Sequence, residues 1–297
     1  MLIQTNSNLS NSFYEGCIFL TEGCCSNATL MQPYETVSLL SKQFIKIAAF
    51  GRLLHFQFDS DYTLCYHYFT GGDTMKRKYC TSLFLLLELI LYILILTTGG
   101  EVLRWVSFLS IVLCFLYALI RHSKEARLMI AGLLFTVCAD FCLVLCQPIR
   151  QLWGMVFFAF VQVCYCHYLH RNTPNKPSLV IRFLLSVAAI VVCFVVLGNK
   201  TDALAVISVF YYIHLIMNLV DSVLRGKTEP LLPYAFILFL LCDTVIGLQV
   251  MNSGYLPIAE DSLIYRILFC NFNLAWLFYL PSQVLIALSA QKHTKRP

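Results

Sequence analysis

Two aspartates stand where a charge is costly. Asp140 lies in Ala126–Cys146, a run apolar throughout except for Arg127 and this carboxylate. Asp243 stands the same way in Phe236–Gly247. Segments of this kind read as membrane helices. A carboxylate near the centre of such a helix costs about 2.5–3.5 kcal/mol on insertion scales, so each should face the protein interior and have a task there. Paired intramembrane acids can serve as a general acid with an ionised partner, carry protons or ions, or clasp two helices by hydrogen bonds. Two acids at matched depth favour a site over a clasp.

The residues beside them are polar or small at helical spacing. Gly132, Thr136, Asp140 and Gln147 fall near one face, and Gly247 follows Asp243 by four. Gln162 and Tyr165 share a face one turn after Phe158, and Trp276, Tyr279 and Gln283 share another. Asn271 and Asn273 lie near the outer end of that last segment, Asn273 at about the depth of the acids. Gln162, Tyr165, Asn273, Tyr279 and Gln283 are the candidate polar lining. Glu88 is a third intramembrane acid, expected to snorkel or pair locally. Asp221 is expected to pair with Arg225 four residues on, and His214 lies on the same segment. Cys164 and His167 are three apart, but no cluster has metal-site spacing, and no metal or cofactor is expected.

The elements that position these groups follow from composition. Of 297 residues, 59% are hydrophobic and only 12% charged, with mean hydropathy +0.74. Globular domains are about 25% charged, so the chain is an all-α polytopic membrane protein. The net charge of +5 is too small to indicate nucleic-acid binding. Most of the 14 cysteines lie in apolar spans and read as small buried hydrophobes.

Eight spans are expected, at about 79–98, 103–120, 127–146, 152–169, 179–197, 203–224, 231–250 and 267–290, joined by short Gly/Pro/Asn-rich loops. Fourteen basic residues fall on one side (Lys76, Arg77, Lys78, Arg121, Lys124, Arg127, Arg171, Lys176, Arg182, Arg225, Lys227, Lys292, Lys295, Arg296) and four on the other (Arg104, Arg150, Lys200, Arg266). By the positive-inside rule both termini are cytoplasmic, and a bacterial inner membrane is expected. Spans three and seven then run the same way and bring Asp140 and Asp243 to similar depth, in the outer half of the bilayer. Each is the third helix of a four-helix half, which suggests a 4+4 parallel repeat.

Residues 1–74 differ. They are mixed and polar, hold no span and no signal-peptide pattern, and give way abruptly to Met75-Lys-Arg-Lys78 and an apolar run. They read as a poorly structured N-terminal extension before an eight-helix domain at 75–297. A purine-rich coding stretch for Gly71–Thr74 makes Met75 the expected translation start.

Gly132-Leu-Leu-Phe-Thr-Val-Cys-Ala-Asp140 followed by Gly154-Met-Val-Phe-Phe-Ala-Phe-Val-Gln-Val-Cys-Tyr165 resembles the YhhN-like family, the lysoplasmalogenases. Phe236–Asp243 resembles the family's Phe-x2-Ser-Asp helix, and Tyr279–Ser289 its closing Tyr-x3-Gln-x-Leu-Ile-x2-Ser. The four motifs come in family order over about 75–290. There are departures. The family's His on span four falls on Gln162, the glycine before the first acid is Ala139, the serine before the second is Cys242, and a Lys with a nearby Pro is not evident around Ser107–Cys114.

The resemblance implies hydrolysis of the vinyl ether of a lysoplasmalogen to a fatty aldehyde and a glycerophospho-alcohol. Vinyl ethers resist base and yield to acid, so Asp140 and Asp243 are the implied catalytic pair, one neutral and one ionised. Low-dielectric surroundings favour a protonated carboxyl group without a metal. The five polar residues named above would then line the substrate pocket. The implied partners are a lysophospholipid substrate and membrane lipid, with no nucleic acid. A catalytically silent relative with a structural or lipid-sensing role, and a proton-coupled transporter, are the competing readings.

Overall fold

The computed structural model describes residues 74–121, 126–171, 176–225, 229–254, 258–270 and 273–291. The extension before Thr74, and Asn271, lie outside them. The chain divides into two compact units, residues 24–85 and residues 1–23 with 86–297. Of the first, only the opening turns of the first helix are described. The helices that carry the candidate site belong to the second.

The described residues hold nine α-helices and no strand: α1 Thr74–Thr97, α2 Gly100–Arg121, α3 Arg127–Asp140, α4 Gln151–His170, α5 Lys176–Leu197, α6 Ala203–Leu224, α7 Leu232–Gly254, α8 Leu263–Leu268 and α9 Leu274–Ser289. In hydrocarbon every backbone N–H and C=O must find a partner within its own segment, so long apolar runs fold as helices. Seven are long and apolar enough to cross a membrane, and their bounds lie within a few residues of the expected spans. The protein is a multi-pass, all-α membrane protein.

Two details depart from expectation. The span expected at 267–290 is divided into α8 and the 16-residue α9, with Asn273 capping the latter. At 1.5 Å per residue α9 is about 24 Å long, short of a hydrocarbon core about 30 Å thick. Span three keeps its expected bounds, but its last turn is not α-helical. Phe141–Leu145 form a π-helical turn directly after Asp140, and Cys146 is already extended. Gln147 is exposed beyond the helix and does not share the Asp140 face.

Helix ends are closed by local chemistry. Asp202 accepts a 2.7 Å hydrogen bond from the Ala205 N–H at the start of α6. Gly198 follows α5 with φ +53°, which a residue with a Cβ enters only at a steric cost. In α9, Pro281 has no N–H for the Leu277 carbonyl four residues earlier. The Tyr92 hydroxyl of α1 supplies that bond instead, at 2.9 Å.

α3 and α4 bury the largest share of their surfaces, α5 among the least. The main packing pairs are α2–α3, α3–α4, α4–α6, α5–α6, α6–α7, α7–α9 and α9–α2. Exchanging the first four spans with the last four maps α2–α3 onto α6–α7, α3–α4 onto α7–α9, and α4–α6 onto α9–α2. Six of the seven main pairs obey this exchange, and α5–α6 has no α1–α2 counterpart among them. α3 and α4 meet closely because Gly132 has no side chain: a Cβ there would come within 2.4 Å of the Tyr165 ring.

Candidate functional site

Asp140 is the last α-helical residue of α3, 3% exposed, and its Oδ2 accepts a 2.7 Å hydrogen bond from the Tyr279 hydroxyl of α9. The π-turn that follows widens the backbone at this point, a distortion found often at functional positions. Asp243 in α7 is half-buried, and its Oδ2 accepts from the Tyr211 hydroxyl of α6. The next residues make a second rung between the same helices, Tyr212 to Thr244 at 2.8 Å.

The two tyrosines belong to one aromatic cluster. Phe158 of α4 has ring centroids 5.7 Å from Tyr211, 6.0 Å from Phe239 and 6.5 Å from Tyr279. Phe239 in turn lies 6.4 Å from Tyr211 and 5.7 Å from Tyr279. Trp276 packs edge-on against Tyr279 at 5.1 Å. Four helices, α3, α6, α7 and α9, therefore converge two Asp–Tyr pairs around the edges of one apolar cluster.

The expected lining residues fall differently. Tyr165 is 1% exposed, lies against Gly132, and packs on Phe236 at 5.6 Å. Gln283 is fully buried one turn after Tyr279 and donates from Nε2 to the Ser282 hydroxyl at 3.2 Å. Asn273 is spent as the N-cap of α9, accepting from the Trp276 N–H at 3.4 Å, six residues from Tyr279. Gly247 has open space beside it, with nothing within 4 Å of where a Cβ would stand.

Gln162, fully buried and one turn beyond Phe158, is engaged on its other side by Asn218 of α6. The Asn218 Nδ2 donates to Gln162 Oε1 at 2.9 Å and to the Gln162 carbonyl at 3.0 Å. Asn218 Oδ1 accepts from Arg182 Nη1 of α5 at 2.9 Å. Arg182 Nη2 pairs with Asp221 Oδ2 at 2.8 Å, and the Ser178 hydroxyl donates to Asp221 Oδ1 at 2.8 Å. His170 Nε2 lies 3.6 Å from the same carboxylate. Asp221 therefore pairs with Arg182 and not, as its spacing suggested, with Arg225. Arg182 also leaves the tally of loop charges, since it is 3% exposed inside a helix. Thirteen basic residues against four remain, and the asymmetry stands.

Glu88 is 3% exposed and does not snorkel; among the described residues it meets no cation, and one oxygen accepts from the Cys114 thiol at 3.3 Å.

Tyr211, Arg182 and Asn218 were not singled out by sequence. A signal for them existed. Tyr211, His214, Asn218, Asp221 and Ser222 recur at three- and four-residue steps along α6, the stripe of a helix seam. Among the described residues no group of His, Cys, Asp or Glu could hold a metal ion.

Residues 102–290 match the YhhN family, well over half of the chain. The chain belongs to the YhhN family. The match spans α3, α4, α7 and α9, the four helices that carry the quoted motifs, and α6, whose Tyr211 completes the second Asp–Tyr pair. No curated protein and no solved structure matches the chain.

Proposed function

We propose that this YhhN protein hydrolyses the vinyl ether bond of a lysoplasmalogen by two-carboxylate acid catalysis at Asp140 and Asp243. The observation that carries the reading is the pairing of two intramembrane carboxylates, each held by a tyrosine hydroxyl at one aromatic cluster. One carboxyl group delivers its proton to the alkene carbon remote from oxygen, and the π electrons form the new C–H bond. The resulting oxocarbenium ion is stabilised by the ionised partner. Water adds to the cationic carbon and loses a proton to that partner. The partner then returns that proton to the ether oxygen while the first carboxylate takes the hemiacetal hydroxyl proton. The C–O bond breaks, the aldehyde and the glycerophospho-alcohol leave, and both carboxyl groups are reset with net consumption of one water. Tyr279 and Tyr211 each occupy one oxygen of a carboxylate and fix its direction. The aromatic rings supply an apolar setting for a single alkyl chain.

Gln162 cannot carry a proton, so acid–base work rests on the two aspartates. That replacement, with the amide tied to Asn218, is also what favours the second reading, a catalytically silent family member. Aldehyde release from choline and ethanolamine lysoplasmalogens by purified protein separates the two. The hydrolase reading expects turnover that falls at least about 100-fold in Asp140→Asn and in Asp243→Asn. Inactive wild-type protein on both lipids, or undiminished Asn variants, would overturn it.

The same reading places the chain in a cell (inner) membrane with both termini cytoplasmic, supported by the thirteen-to-four basic asymmetry. Reporter fusions at the two ends test it, and an external signal from either end would refute it.

A further inference from the structure

The buried network on α4, α5 and α6 has a direction. A guanidinium can only donate hydrogen bonds. Arg182, held by Asp221, presents Nη1 to Asn218, so Asn218 must answer with its oxygen. The Asn218 NH2 then points at Gln162, and Gln162 must answer with Oε1. The polarity of two successive amides is set by one cation, and the end of the chain is fixed: Gln162 turns its Nε2 donors away from the network. Gln162 is fully buried, and its Nε2 has no partner among the described residues. A buried donor left without an acceptor costs about 1–3 kcal/mol, so such a group calls for a ligand atom or a water. Gln162 lies one turn from Phe158, the ring that touches both tyrosines of the carboxylate pairs. One turn is a rise of about 5.4 Å along α4, so a lysolipid whose enol ether lay at the Phe158 ring would carry its middle glycerol carbon to the level of Gln162.

We propose that Gln162 is a substrate-binding donor to the free hydroxyl oxygen on the middle glycerol carbon of a lysolipid, and that Arg182 and Asn218 are positioning residues that act through it. The assignment rests on the lysolipid reading of the site. It makes the site selective for an acceptor at that carbon, and it makes an arginine outside the aromatic cluster part of substrate recognition.

The test uses three non-hydrolysable 1-alkyl ether lysophospholipids that differ only at the middle carbon: hydroxyl, methoxy (acceptor only) and hydrogen. Binding to the full chain in detergent is followed by tryptophan fluorescence, since Trp276 abuts Tyr279. Wild-type protein should bind the hydroxyl and methoxy lipids about five- to tenfold more tightly than the deoxy lipid, the worth of one hydrogen bond. Gln162→Met and Arg182→Met should each lose that preference, the double variant should lose no more, and Arg182→Lys should restore part of it. Asn218→Asp should take the Gln162 amide hydrogens and turn Oε1 to the ligand, so that methoxy falls to the deoxy level while hydroxyl is retained. A ratio measured on one preparation is not moved by lost stability. Binding of all three lipids without discrimination by the wild type, or a preference that survives Arg182→Met, overturns this assignment and leaves the hydrolase reading standing. No binding of any lipid overturns both.

Discussion

Gly132→Ala is the most exacting test of the packing that sets Asp140. A Cβ at residue 132 would lie 2.4 Å from Tyr165 Cε1 and 3.0 Å from Cδ1 and Cζ. Carbon atoms rest at about 3.5–4.0 Å, so the new methyl is more than 1 Å too close. Tyr165 cannot swing aside easily, being 1% exposed and packed on Phe236. Overpacking of this kind costs about 1–3 kcal/mol. Replacing a helical glycine by alanine returns about 0.5–1 kcal/mol of backbone entropy. The net expectation is a loss of about 1–2 kcal/mol. Gly247→Ala is the internal control, because nothing lies within 4 Å of a Cβ there and only the entropic gain remains. The two variants should therefore differ by about 2 kcal/mol, or about 4–8 °C in melting temperature for a chain of this size. Thermal unfolding in one detergent, followed by tryptophan fluorescence, measures it. In a Tyr165→Ala background, Gly132→Ala should cost less than it does in the wild type, since the clash partner is gone. Gly132→Ala melting at or above wild type would refute the account of the α3–α4 seam.

Other expectations follow from single contacts. Tyr92→Phe should destabilise the wild type by about 0.5–1.5 kcal/mol but scarcely affect a Pro281→Ala background, where the Leu277 carbonyl regains an intrahelical N–H; equal losses in both backgrounds would dismiss the substitute bond. Asp221→Ala leaves the Arg182 charge without its counterion in a buried site and should cost about 3–5 kcal/mol, measured by chemical unfolding in mild detergent; an unchanged midpoint would dismiss the buried pair. On the hydrolase reading, Tyr279→Phe and Tyr211→Phe should each lower kcat by about 10- to 100-fold through loss of one charge-assisted hydrogen bond, with melting temperature changed little; wild-type turnover in both would remove the tyrosines from the site.

Much of the architecture was written in the chain. Hydrocarbon permits no unpaired backbone, so apolar length alone located the first seven spans to within a few residues. The cost of a charge in such a span marked Asp140 and Asp243 without any view of their surroundings. Motif order then pointed to the YhhN family, which the match over 102–290 bears out. The partners of those charges were a different matter. Asp221 had a basic residue four positions on, and only helix packing decided that Arg182, 39 residues away in sequence, is the one it meets. Asn273 and Gln283 looked alike as polar residues of one segment. The break before α9 made the first a helix cap and buried the second. The π-turn after Asp140 removed Gln147 from a face that regular helical spacing had assigned to it. Tyr211 and Tyr279 lie far from their carboxylates in sequence and come to them because α6 packs on α7 and α9 on α3. One-dimensional periodicity gives which face of a helix is polar. It does not give which other face meets it, because that depends on crossing geometry and on small residues such as Gly132 that set how closely two helices approach. The costly acids were therefore legible from sequence, and the tyrosines and the arginine-led chain around them came only with the tertiary structure.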